Sequence, residues 1–391
     1  MIRVAILGST GSIGRSTLAV LARHPDRFRV AVLTARRSAE ELRRQETEFS
    51  PRRVVLADPD GAAPGAEIPG TWETGRDALL SAAEDPEVDV VVNALVGFAG
   101  LEPTLRALAA GKRVALANKE SLVAGGSLVR QAMEEGGGEL VPVDSEHSAI
   151  LQCMNGAPRS VVERLVLTAS GGPFRGWPAS RLQSVGPEAA LSHPTWDMGA
   201  KISIDSASLA NKALEVIEAH VLYRMPFDRI GTVVHPQSIV HSFVEFVDGS
   251  VMAQLGFPTM EIPILYALSW PDRIADPELR TFDPVRSSPL TFEEIDHEAF
   301  PLFGVGVAAG RSGGVAPAVF NAANEVAVQA FLGGRLDFPG LARVAEFTLE
   351  RLAGSTAESV EDLVAVDTEA RGVAAGRIER GVSPSVPGGE S

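Results

Sequence analysis

The chain has 391 residues, too many for one ordinary hydrophobic core, and its 45% hydrophobic and 22% charged content is that of a folded globular protein. A formal charge of −15 excludes a broad nucleic-acid or anionic-membrane surface, so an anionic ligand must be met by a local cluster of donors. The single cysteine, Cys153, excludes an intramolecular disulfide and a cysteine-rich zinc site, and no apolar run approaches the ~20 residues that span a bilayer. Met1 leads directly into an apolar strand with no leader pattern, so a cytoplasmic protein is expected.

From the N-terminus, strand-like runs at Val4–Leu7, Val30–Thr34, Arg53–Ala57, Val88–Ala94, Val114–Ala117 and Leu140–Val143 alternate with amphipathic stretches such as Gly14–His24, Ala39–Phe49 and Leu101–Ala110. Strict alternation predicts an α/β domain over 1–143, a doubly wound parallel sheet of Rossmann type. After Val143 the texture changes. Arg164–Ser170, Thr232–His235, His241–Phe246 and Val251–Leu255 read as strands around one helix, Ser206–Leu222, with a hairpin turn at Asp248-Gly249. This predicts a central α+β catalytic domain over 144–270. Within it, 171–200 is rich in Gly, Pro, Ser and Trp and reads as a lid loop. The proline-bearing stretch 271–296 reads as a linker. Helical patterns at Ala316–Gly333 and Leu341–Leu352 predict a C-terminal helical domain over 297–391, its end from Gly381 frayed.

Gly8-Ser-Thr-Gly11-Ser-Ile-Gly14 follows the first strand and opens a helix, the context of a dinucleotide loop, although a plain strand-to-helix turn has the same outline. Ala35-Arg36-Arg37 ends the second strand. Arginines there suit the 2′-phosphate of NADP better than the ribose hydroxyl of NAD. Asn118, Lys119 and Glu120 follow the fifth strand at the carboxyl edge, where such sheets bind ligands. Asp144 and Glu146, two apart on a segment expected to be extended, point to one side. With Glu215 they form an oxygen-only set suited to Mg²⁺ or Mn²⁺; three solvated acids among 50 is the competing reading. Ser206, Asn211 and Lys212 lie in the same stretch as Glu215 and suit a phosphate. His193, Trp196 and Met198 sit in the expected lid.

These segments together resemble the 1-deoxy-D-xylulose 5-phosphate reductoisomerase family. The resemblance rests on the loop 8–14, Ala-Asn-Lys-Glu-Ser at 117–121, Pro-Val-Asp-Ser-Glu-His-Ser-Ala at 142–149 and Thr-Ala-Ser-Gly-Gly-Pro-Phe-Arg at 168–175. It continues through His-Pro-Thr-Trp-Asp-Met-Gly at 193–199, Lys-Ile-Ser-Ile-Asp-Ser-Ala at 201–207, Asn-Lys-Ala-Leu-Glu at 211–215, His-Pro-Gln-Ser-Ile-Val-His-Ser at 235–242 and Asn-Ala-Ala-Asn-Glu at 321–325. It implies a reaction in which a phosphorylated sugar is rearranged and then reduced by NADPH with the help of a divalent cation. Asp144, Glu146 and Glu215 would be the metal ligands. Ser170, Ser206, Asn211 and Lys212 would hold the phosphate, and Lys119, Ser145 and His193 would contact the sugar or its approach. Thr10, Gly11, Ser12, Ile13, Asn118, Glu120 and Gly199, with Ala35, Arg36 and Arg37, would meet NADPH. A homodimer is implied as well. Two departures stand out: Ala35-Arg36-Arg37 replaces the family's Gly-Lys/Arg-Asn, and Pro258-Thr259-Met260-Glu261 replaces Pro-Asp-Met-Arg, reversing a charge.

A simpler NADP-linked dehydrogenase of a phosphorylated sugar would need no metal, and a redox-sensing NADP(H)-binding module would leave the acids idle. Product analysis with 1-deoxy-D-xylulose 5-phosphate separates these readings.

Overall fold

The structure, a computed structural model, describes residues 1–381 except 197, 353 and 355. The end expected to fray therefore lies outside the described residues from 382 onward, as does Asp197 of the expected lid. In chain order the first part runs β1 (Ile2–Leu7), α1 (Ser12–Arg23), β2 (Phe28–Ala35), α2 (Ala39–Phe49), β3 (Arg53–Leu56), β4 (Glu73–Thr74), α3 (Arg76–Glu84), β5 (Val90–Asn93), α4 (Leu101–Ala109), β6 (Arg113–Leu116), α5 (Lys119–Gly136) and β7 (Glu139–Pro142). The seven strands form one parallel sheet in the order β4-β3-β2-β1-β5-β6-β7. Its central strands are buried on both faces, which is why they read as nearly unbroken Val, Ile, Leu and Ala. The chain order reverses at β1/β5, so the carboxyl ends of β1, β2 and β5 border the crevice where doubly wound sheets take a nucleotide.

The second part runs α6 (Ser145–Met154), β8 (Val162–Ala169), α7 (Ala179–Leu182), α8 (Pro187–Leu191), α9 (Ala200–Ala207), α10 (Ala210–Tyr223), β9 (Ile230–Val234), β10 (Val240–Phe246), β11 (Val251–Leu255) and α11 (Glu261–Ser269). The sheet order is β11-β10-β8-β9, with β8 and β9 parallel and the other pairs antiparallel. The expected hairpin joins β10 to β11 through Gly249, at φ +84°. Ile150, Leu165, Leu167, Ala219 and Val244 form the core between this sheet and its helices. The remainder is helical: α12 (Pro301–Ser312), α13 (Ala316–Leu332), α14 (Gly340–Leu352) and α15 (Val360–Glu379).

By compactness the chain falls into two units. One holds both sheets and comprises residues 1–170, 195–199 and 215–294. The other holds 171–194, 200–214 and the helices from 295 on.

Several elements differ from their sequence outlines. The single helix expected over Ser206–Leu222 is two, because Leu209 turns the chain at φ +58° and the Ser208 hydroxyl donates back to the Ile204 carbonyl at 2.9 Å. The lid segment contains α7 and α8, and its early part is anchored: Phe174, 1% exposed, packs on Trp177 and Phe338. The stretch 271–296 is more than a tether. Ile274 and Leu279 pack on the parallel-sheet core, and Glu293 bridges β9 at Val234.

That stretch also carries Asp276, whose buried carboxylate receives Arg23 at 2.8 Å and stands 3.1 Å from His24 Nε2. Burial alone would raise the Asp276 pKa. Hydrogen bonds from Arg23, the Glu278 N–H and His24 outweigh it and hold the group below the usual carboxylate range. A depressed folded pKa gives stabilisation that is present above the unfolded value, near 3.9, and lost as the pH falls through the folded value. Asp276→Asn is expected to cost about 1–3 kcal/mol near neutrality, with wild type and variant converging below about pH 4. Urea melts at both pH values check this; a gap independent of pH would mean that ionisation of Asp276 contributes nothing.

Candidate active site

The nucleotide loop is fixed by backbone geometry. Gly8 adopts φ +87°, and the amides of Gly8 and Ser9 both reach the Thr34 carbonyl at the end of β2. A Cβ at Gly14 would collide with the Gly8 carbonyl and the Ser9 backbone, so α1 starts directly against the loop. Gly11 occupies the N-cap with no side-chain acceptor, leaving the helix N–H groups around Ser12 and Ile13 for an anion. Thr10 and Gly11 lie in the loop itself, and Ala35 is buried as the last residue of β2.

Beyond β2, Arg36 and Arg37 are exposed and share one acid that sequence reasoning missed. Asp58, just past β3, lies 2.6 Å from Arg37 Nε and 3.5 Å from Arg36 Nε. Arg37 in particular holds the Asp58 carboxyl below its ordinary range. The adjacency of β2 and β3 was the signal, since their carboxyl ends must meet. Asn118 caps α5 by accepting the Ser121 N–H at 3.0 Å. Its amide nitrogen lies 2.9 Å from the Leu95 and Gly97 carbonyls and 3.0 Å from Glu120 Oε2.

At the start of α5, Lys119 is buried with its ammonium 2.5 Å from Asp144 Oδ2 and 2.9 Å from Glu215 Oε1. Burial would lower its pKa; Asp144, Glu215 and Glu218 outweigh that and raise it well above normal, so Lys119 stays charged. Asp144 and Glu146 are not on an extended segment as expected. Asp144 is the N-cap of α6 and Glu146 lies in its first turn. The pair still converges, because a cap residue and the first helical turn face the same neighbourhood. Ligating atoms of Asp144, Glu146 and Glu215 lie within 4.8 Å of one another. The Ser145 hydroxyl donates to Glu146 at 2.6 Å.

Behind this cluster is a second pair that sequence reasoning overlooked. His147 and Glu218 are both fully buried, 3.0 Å apart but poorly aligned for a hydrogen bond, and with Asp144 they form another close group. Burial raises the Glu218 pKa against the pull of His147. The His147 pKa is raised too: burial opposes the shift, and Glu218 overcomes it. The signal was helical spacing, with His147 three residues after Asp144 on α6 and Glu218 three after Glu215 on α10. Four carboxylates thus gather around one ammonium and one imidazole. An oxygen-rich set with this excess of negative charge fits a hard divalent cation.

Ser170 directly follows β8 and is half-buried. In the second unit, Ser206 lies in the last turn of α9, and Asn211 and Lys212 in the first turn of α10. Lys212 is only 4% exposed, far below what a surface lysine shows. An ammonium buried at a helix N-terminus suits an anion. His193 is half-buried after α8, and burial pushes its imidazole pKa down. Trp196 and Met198 are half-buried and Gly199 is exposed.

Comparison with known proteins decides the family. Models of the 1-deoxy-D-xylulose 5-phosphate reductoisomerase match residues 4–126, and those of its C-terminal domains match 140–223 and 255–373. The reductoisomerase of Nocardia farcinica is 52% identical, covering 96% of this chain and 94% of that protein. That of Thermosynechococcus vestitus is 47% identical, covering 97% and 94%. The chain belongs to the 1-deoxy-D-xylulose 5-phosphate reductoisomerase family. Its activity is that of the family, an NADP-dependent oxidoreductase of EC 1.1.1.267. Among solved reductoisomerases, the Zymomonas mobilis enzyme in complex with NADPH superposes with a TM-score of 0.88 at 44% identity, over 97% of this chain and 99% of that one. A second, in complex with NADPH, fosmidomycin and magnesium, gives 0.91 at 38% identity over 97% and 98%.

The charge reversal at Glu261 now has a partner. Glu261 accepts from Arg23 at 2.7 Å, and the same guanidinium holds Asp276, so in this reductoisomerase the acid joins α11 to the end of α1.

Proposed function

We propose that the chain binds NADPH on the loop 8–14 and at Arg36 and Arg37, and one Mg²⁺ or Mn²⁺ at Asp144, Glu146 and Glu215. It converts 1-deoxy-D-xylulose 5-phosphate to 2-C-methyl-D-erythritol 4-phosphate. The observation that carries this reading is the convergence of three carboxylates within 4.8 Å beside a buried lysine. Relatives solved with NADPH and with magnesium support it.

When bound, the cation supplies Lewis acidity at the substrate's ketone and neighbouring hydroxyl, and NADPH supplies the hydride. The chain's own residues do the rest. Lys119 holds Asp144 and Glu215 in register and offers a fixed positive charge to the sugar oxygens. Ser145 is braced by Glu146 for a hydrogen bond to the sugar. His193, its pKa lowered by burial, is neutral at pH 7 and can donate from one ring nitrogen and accept at the other. Ser206, Asn211 and Lys212, with Ser170 in the same role, take the substrate phosphate. Binding energy gained there, remote from the reacting carbons, contributes to positioning. Asn118, Glu120 and Gly199 belong to the NADPH side. The segment 171–200 serves as the lid that excludes water.

Two further parts belong to the same proposal. No helix among the described residues is long and apolar enough to cross a membrane. We assign the enzyme to the cytoplasm, a reducing compartment that suits a chain whose single cysteine can form no intramolecular disulfide. We also assign it to a homodimer. β11 is an edge strand exposing Val251, Met252 and Leu255, with Val247 nearby, a combination of apolar side chains and unpaired backbone that favours a second copy. Sedimentation at micromolar concentration should give a dimer, and Met252→Asp should shift it toward monomer; a monomeric wild type would contradict the assignment.

The direct test is oxidation of NADPH in the presence of 1-deoxy-D-xylulose 5-phosphate, with and without divalent cation, followed by product identification. Turnover is expected only with the cation, the product carries the branched skeleton, and NADH is a poor substitute. Arg36→Ala with Arg37→Ala should erode the NADPH preference by roughly tenfold or more through lost charge-assisted bonds. Metal-independent turnover, or an unbranched product, would overturn the reading.

A further inference from the structure

The segment Asn321-Ala-Ala-Asn324-Glu325 carries no role in the site, yet its two asparagines are fully buried in the middle of α13. Asn321 and Glu325 face α15. The Asn321 amide donates to Glu325 Oε1 at 3.0 Å, and Glu325 pairs with Arg371 at 2.6 Å. Asn324 faces another way. Fully buried, it donates from Nδ2 to Asp205 Oδ1 at 2.8 Å, and Asp205 is itself 1% exposed. The other Asp205 oxygen is 2.8 Å from Lys201 Nζ, one turn earlier on α9. Asn324 Oδ1 is buried with no hydrogen-bond partner, so the amide is under-satisfied where a leucine of similar size would meet no such penalty.

The position of Asp205 gives this cost a purpose. Ser206 follows it, and the helix breaks at Leu209, whose left-handed φ of +58° is unusual for a branched apolar residue. Asn211 and Lys212 lie just beyond. A continuous helix would brace these residues through its own hydrogen bonds; a corner between α9 and α10 does not, and its geometry must be held from outside. α13 is suited to do so, since Phe320 and Phe331 anchor it as fully buried side chains.

We propose that Asn324 and Asp205 are positioning residues for substrate phosphate, tying the last turn of α9 to α13 so that Ser206 meets the same anion as Asn211 and Lys212. This rests on the reading above that those three residues bind the phosphate. The tie sets affinity for the phosphate end of the substrate and leaves NADPH binding untouched.

The test compares wild type with Asn324→Leu, the milder Asn324→Ser, the exchanged pair Asp205→Asn/Asn324→Asp, and Lys212→Ala as a control for the phosphate site. For each, thermal unfolding, the NADPH dissociation constant by fluorescence, KM and kcat for 1-deoxy-D-xylulose 5-phosphate, and the competitive inhibition constant of inorganic phosphate are measured. Asn324→Leu should raise KM and the phosphate inhibition constant together, by roughly tenfold, with the NADPH constant unchanged. Asn324→Ser should do so to a smaller degree and serves if the leucine variant does not fold. The exchanged pair, which restores one donor facing one carboxylate, should recover most of the loss. A purely structural role would lower the unfolding temperature while the folded fraction kept wild-type phosphate inhibition. That result in both Asn324 variants, alongside a raised constant in Lys212→Ala, overturns the positioning role alone. An unchanged constant in Lys212→Ala overturns the phosphate reading and this proposal with it.

Discussion

Asp144 and Glu146 at the start of α6 stand together with Glu215 and Glu218 from the middle of α10, and the repulsion among them is the constraint that organises this enzyme. Two carboxylates about 4 Å apart repel by roughly 4 kcal/mol even at an effective dielectric constant of 20, and removing each from water costs more. Lys119 answers part of this by lying between Asp144 and Glu215. Glu218 and His147 answer another part, since burial raises the acid's pKa and the buried imidazole, its own pKa raised by Glu218, stands 3.0 Å from it. The remaining negative charge is what would give a divalent cation its affinity at the proposed site. A cluster so costly persists only where its surroundings over-determine it. Here α5 and the start of α6 bring Lys119, Asp144 and Glu146, and the middle of α10 brings Glu215 and Glu218.

The same economy explains why the site was partly legible in the sequence. The strands of the parallel sheet could be read because burial on both faces leaves no polar alternation. The glycine loop could be read because only glycine tolerates the turn at Gly8 and the close start of α1 at Gly14. Asp144 and Glu146 were rightly paired for a mistaken reason: a strand and a helix N-terminus both bring residues i and i+2 near one point when one of them is the cap.

What escaped the sequence depends on partners far along the chain. His147 and Glu218 look like ordinary polar residues until α6 and α10 are packed. Asp58 matters only because β3 lies beside β2, and Glu261 only because Arg23 ends α1 opposite it. The break at Leu209 was invisible because a leucine gives no turn signal. α15 was missed because much of its buried face is alanine, at positions 370 and 374, though Ser359 and Asp362 form a capping box at its start. The family resemblance named the residues proposed for the phosphate but not what would hold them. The proposed support, the buried Asn324 on Asp205, shows only once α9 and α13 are packed.

The most direct test of the charge account is Mn²⁺ binding to the protein without substrate, followed by electron paramagnetic resonance in wild type and Glu215→Gln. Glutamine preserves shape while removing one negative charge from the cluster. The account predicts one Mn²⁺ site per chain in the wild type and binding weakened by roughly tenfold or more in the variant, with unchanged unfolding curves. Equal Mn²⁺ affinity in the two proteins would contradict it.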